Sequence, residues 1–259
     1  GRHAGDEAWA RREALEELCS SQWGLRDRVV VTAPHSIPPA LLLPLTRLLG
    51  KTSLGAQPAN ESCESLKCIC SAIELLLDGK ASNAACVLGR GEDDESFWES
   101  CAAGSLYAPL AYHAVQTAAV LCFGEDPPPQ PLAGVCRLSD GRLTLSHLKP
   151  TRVEVEAQFL VELEKAKPNL IIIVASVRVR KDSGGGQGVT CEALSRVCKA
   201  VRVVAEECCQ GRVLLVLEGE ARAWLHTPAA CAALLAQTAP LAAAGDGGRE
   251  QRWEANVVG

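Results

Sequence analysis

Four consecutive carboxylates, Glu92-Asp93-Asp94-Glu95, form the densest cluster of chemistry-bearing side chains in this sequence. Joined by Asp126, they offer the oxygen donors that a hard cation such as Mg²⁺ or Mn²⁺ prefers. A solvated acidic loop is the plainer reading of such a charge run. Cys63, Cys68 and Cys70, and the pair Cys208-Cys209, raise the question of zinc, but none has the Cys-x-x-Cys spacing of a structural site. On a helix Cys63 and Cys70 share a face while Cys68 points elsewhere. Gly184-Gly185-Gly186-Gln187-Gly188 follows a predicted strand, as a phosphate-cradling loop does. It lacks the Gly-x-Gly-x-x-Gly order and the acidic residue ~20 positions on that binds ribose, so a plain connection is expected. His residues stand at 3, 35, 113, 147 and 226, and His113, on an apolar helix, reads as a hydrogen-bonded core residue. No nucleophile motif surrounds Ser36, Ser176 or Cys101.

The elements that must position these groups follow one rhythm. Residues 7–20 read as an amphipathic helix and Arg28 to Val31 as a short strand. Pro38 and Pro39 suit a first helical turn that Ala40 to Leu49 continue. Leu66, Ile69, Ile73, Leu76 and Leu77 recur at helical spacing until Asp78-Gly79 stops them. Strands are predicted at 84–88 and 119–123, with an Ala/Val-rich helix at about 105–118 between them. Gly124 to Pro131 is a loop, and residues 133–147 have room for two short strands. Thr151 can cap a helix running to Lys167. The unbroken apolar run Leu170 to Val174 predicts a strand buried on both faces of a parallel sheet. Thr190 opens a helix with one stripe of Leu194, Val197, Val201 and Val204. Val213 to Leu217 is expected as the last strand and 221–237 as the last helix. Strand and helix alternate, which predicts a doubly wound α/β sheet. Residues 1–239 are expected to form one domain, and 240–259 a mobile or partner-bound tail.

Composition narrows the function classes. A net charge of −5 without a basic block argues against nucleic acid. No run approaches the ~18 apolar residues of a membrane span. Thirteen Cys, an odd count lying mostly within predicted helices and strands, read as buried thiols in a reducing compartment. Only three Phe and two Tyr leave the core to Leu, Val, Ala and Cys. Gly1-Arg2-His3 is neither a signal peptide nor a native start, so a processed or trimmed product is expected.

Four segments carry a family resemblance. Gly211 to Glu220 (G-R-V-L-L-V-L-E-G-E) resembles the last core strand of the zinc-dependent histone deacetylases (class II-like), which continues Leu-Glu-Gly-Gly-Tyr. Here the Gly-Tyr slot reads Glu220-Ala221, and alanine has no hydroxyl to polarise a substrate amide. Asn60 to Val87 resembles the helix and strand that precede the family's Arg-Pro-Pro-Gly-His-His, and its basic His pair falls on Asp93-Asp94. Pro168 to Arg178 resembles Pro-Asp-Leu-Val-Leu-Val-Ser-Ala-Gly-Phe-Asp, whose final zinc-ligating Asp falls on Arg178. A guanidinium is always charged and has no free lone pair for a metal. Aligned after the strand near Val120, the family's Asp-Trp-Asp-Val-His-His-Gly keeps Asp126 and puts Pro128 where the second ligand belongs. Catalytic zinc needs three protein ligands and an open position.

The resemblance covers roughly residues 10–237. It implies an arginase/deacetylase-like three-layer fold, with a mainly parallel sheet flanked by helices. With these substitutions it implies a pseudoenzyme without zinc or other cofactor, serving as a structural or protein-interaction subunit of a larger assembly. Its partners would be protein subunits, an active deacetylase homologue among the candidates, in cytoplasm or nucleus or as a processed mitochondrial subunit. Two other readings stay open. Asp93 and Glu220 could select a cationic small molecule such as a polyamine in the vestigial pocket. The Asp-rich cluster could instead serve a hydrolase with a rebuilt metal site.

Overall fold

The β-branched run Ile171-Ile172-Ile173-Val174 lies inside a parallel sheet with every side chain buried. The computed structural model describes residues 9–14, 16–17, 29–32, 60–88, 105–106, 108–109, 112, 114–124, 141–149, 153–176, 189–235 and 255–258. Its elements, in chain order, are β1 (Val29–Thr32), α1 (Asn60–Leu77), β2 (Asn83–Leu88), β3 (Ala118–Phe123), β4 (Leu143–Leu148), α2 (Val153–Ala166), β5 (Leu170–Ser176), α3 (Cys191–Cys209), β6 (Val213–Glu218), α4 (Glu220–Leu235) and β7 (Ala255–Val258). Residues 9–14 are also helical, with Ala10 and Ala14 buried. The seven strands run in the order β1-β7-β2-β6-β5-β3-β4, and every pair is parallel.

Period-two alternation divides the sheet's side chains between two layers. Ala84, Cys86, Val120, Cys122, Ile172, Val174, Leu214 and Val216 pack with α1 and with Leu106, Ala108 and Val115. Ala85, Val87, Leu121, Phe123, Ile171, Ile173, Leu215 and Leu217 pack with α3, α4 and Leu163 of α2. Helices therefore cover both faces, which is why β2, β3 and β6 are buried at every position. β4 lies at one edge and is exposed or half-exposed from Thr144 to His147.

Local signals in the sequence operate as expected at several joints. Gly79, at φ 67°, follows the end of α1, a left-handed position that suits glycine. Thr190 Oγ1 accepts the Ala193 N–H at 3.1 Å and caps α3. Leu194, Val197, Val201 and Val204 are all buried in one stripe.

Two expectations are corrected and one is completed. The helix predicted across 105–118 does not reach 118. Residues 114–117 are a turn, because Asn169 reaches across to hold both Ala114 O and Thr117 N, and β3 begins at Ala118. Cys68 and Cys70, two positions apart on α1, leave the helix on different sides, yet neither is exposed. Both are buried in one layer, since α1 is enclosed almost all round from residue 68 to 76. Val213 to Leu217 is not the last strand. Residues 255–258, expected within a mobile or partner-bound tail, form β7 between β1 and β2, where Val257-Val258 has the β-branched character of a strand. Residues 240–254, His113, Thr151, the helix expected at 40–49 and the loop at 183–188 lie outside the described residues.

Candidate functional site at the C-terminal edge of the sheet

Because all strands are parallel, their C-terminal ends share one edge, where open α/β sheets place their ligands. Register fixes the alignment. One row runs across five strands through Val87, Leu217, Ala175, Phe123 and Leu148. One residue farther on, Leu88 and Ser176 both pair with Glu218. Each of the four segments with a family resemblance leaves the sheet at this edge. The acidic run follows β2, Asp126 follows β3, Arg178 follows β5, and Glu220-Ala221 follows β6. The strands that precede these residues therefore end at one edge.

Asp93, Asp94, Asp126, Pro128 and Arg178 themselves lie outside the described residues. Glu220 and Ala221 form the first turn of α4. The turn into that helix depends on Gly219, which is buried and takes φ 140°, a conformation L side chains rarely adopt. Ala223 N–H then donates to Gly219 O at 3.2 Å. At this joint the residue demanded by the backbone is in place, while the next position carries a carboxylate.

Motif comparison alone does not single out Glu218. It ends β6 and is fully buried, with 0% exposure. A carboxylate closing an otherwise apolar, completely buried strand is itself the signal that could have marked it. By alternation it lies on the α1 side of the sheet, one residue past Leu217 of the other layer. Farther along the sheet, at β3 and β4, His147 Nε2–H donates to Gly124 O at 3.0 Å, and Gly124 N–H donates to Leu148 O at 3.1 Å. These bonds tie the end of β4 to the turn that leads toward Asp126.

The opposite edge is held differently. Asn169 Nδ2 donates to Ala114 O at 2.9 Å, and its Oδ1 accepts Thr117 N–H at 3.1 Å. Arg142 Nη2 donates to Val115 O at 2.6 Å and to Tyr112 O at 3.4 Å. Tyr112 in turn donates its hydroxyl to Cys70 O and Glu74 Oε1, both at 3.2 Å, joining this turn to α1.

Among the described thiols, Cys191 is exposed and Cys208 half-buried, and the others belong to the core. Cys86 Sγ donates to Cys68 O at 3.4 Å inside the α1 layer. Burial pushes the Cys70, Cys209 and Cys231 thiols up to about 12, and raises Cys86 and Cys198 as well. Such groups remain protonated and are poor nucleophiles or metal ligands at neutral pH. Among the described residues no group of three or more His, Cys, Asp and Glu is placed to hold a metal ion, and no helix is long and apolar enough to cross a membrane.

No protein-family model and no curated protein matches the chain. Among solved structures, the crystal structure of the HDA15 HD domain superposes with a TM-score of 0.55 over 88% of this chain and 83% of that one, at 12% sequence identity. The fold is deacetylase-like. At that identity the likeness concerns the path of the chain and not the chemistry of its loops.

Proposed function

We propose that this chain is a catalytically inactive deacetylase-like domain, serving as a structural or protein-interaction subunit of a larger assembly. One observation carries the reading. The strands preceding the four segments all end at one edge of a parallel sheet, and under the resemblance each segment carries a residue unsuited to the family's chemistry. Under that resemblance Asp93-Asp94 stand where the family has its basic pair, Pro128 and Arg178 where it has metal ligands, and Ala221 where it has its phenol. A protein that keeps the frame after these losses has its surfaces left to offer. The buried thiols fit a reducing compartment. An active deacetylase homologue is one candidate partner class. The test is purification from the native source at low salt, followed by the mass and subunit composition of the eluted species. A stoichiometric assembly supports the reading. A lone monomer overturns it.

A second reading is favoured by Glu218. This buried carboxylate stands two residues before Glu220, at the edge from which Asp93 also departs. Together they would bias the vestigial pocket toward a cation such as a polyamine. Saturable spermidine binding, weakened by Glu220→Ala and Glu218→Gln, would favour this reading over the first. Absence of binding at millimolar spermidine removes it.

A further inference from the structure

Among the described residues, β1 reaches the sheet through β7 alone. Its four register pairs, Val29 with Ala255 through Thr32 with Val258, are all made to that strand. The same four residues of β7 pair on their other side with Asn83 to Cys86 of β2. A four-residue segment thus bridges a strand near residue 30 and the body of the sheet. The body is better secured: β2 and β6 share six register pairs, and both are buried at every position. A four-residue strand adds fewer ladder bonds than the six-residue pairing of β2 with β6, and can leave without unfolding the body of the sheet.

We propose that the slot between β1 and β2 is a strand-acceptor site, and that β7 is its releasable occupant. When β7 withdraws, β1 loses its attachment and β2 presents an open parallel edge, a template for another extended segment. The segment this slot fits is the one it already holds. The occupant in trans is therefore residues 255–258 of a second copy, seated in the same register. Such strand exchange gives the domain a route to self-association without any new surface.

Hydrogen exchange on the full chain tests this. In V257P a ladder donor of an interior strand is lost. Amides of residues 29–32 should then exchange about tenfold faster or more, while those of 171–174 and 213–217 keep their protection. Adding a peptide of residues 253–259 should restore protection at 29–32, and the same peptide carrying V257P should not. Unchanged protection at 29–32 overturns the proposal, as does a peptide without effect. If V257P does not fold, the wild-type chain in sub-denaturing urea decides. Residues 29–32 and 255–258 must open together before 171–174, and simultaneous opening of all three overturns the proposal.

Discussion

The two edges of this sheet obey different rules. At the N-terminal edge, Asn169, Arg142 and Thr117 tie the starts of β3, β4 and β5 with side-chain bonds to backbone groups. At the C-terminal edge, the segments after β2, β3, β5 and β6 carry Asp93-Asp94, Asp126 and Pro128, Arg178, and Glu220-Ala221. The first edge needs groups that satisfy turn amides and carbonyls, and it has them. At the second, the described residues that serve the fold are Gly219, the buried Glu218 and the bonds of Gly124 to His147 and Leu148. On the proposed function, a sheet keeps a deacetylase-like architecture after the groups for deacetylation are gone, because stability and chemistry are supplied from opposite ends of the same strands.

The largest expected effect comes from the body that both edges share. Cys70, Cys209 and Cys231 stay protonated in the folded state up to about 12, whereas an exposed thiol ionises near 9.0. Between those values the unfolded chain binds fewer protons, so stability must fall as pH rises; below 9.0 these groups contribute no pH dependence. Each contributes a loss of about 1.4 kcal/mol per pH unit in that window. Urea denaturation in reducing buffer from about pH 8 to about pH 11 reads it, and replacing Cys231 with Ala should flatten the slope. Next comes Arg142→Ala, which strips a charge-assisted bond from Val115 O and should cost roughly 1.5–3 kcal/mol in the same assay. Gly219→Ala forces a side chain into φ 140° and should cost about 1–3 kcal/mol, although it lies at the substituted edge. Smallest are Asp93→Asn and Arg178→Ala, expected within about 0.5 kcal/mol of wild type. If either costs as much as Arg142→Ala, the contrast between the edges is wrong.

The fold is legible where local and tertiary demands agree. Leu170 to Val174 can only be a doubly buried strand, Thr190 can cap, and Asp78-Gly79 can end a helix; each does so. It is illegible where a distant residue decides. The turn at 114–117 depends on the Asn169 side chain more than fifty positions on, and no periodicity reveals that. β7 escapes sequence reasoning because its four residues become a strand only between β1 and β2. Of the site, sequence shows which segments to compare, and topology shows that the strands preceding them end at one edge. Glu218 hides at the end of an apolar run, although a charge closing a buried strand is a signal that burial and alternation together can expose.

The central claim is that the frame persists without the chemistry, and acetate release tests it most directly. The purified chain, supplied with excess Zn²⁺ or Mn²⁺, would be incubated with an acetyl-lysine peptide and with N-acetylspermidine. No release above buffer is expected with either metal. Metal-dependent release that a chelator stops, and that Asp93→Asn abolishes, would contradict the claim and return the Asp-rich cluster to the role of a working site.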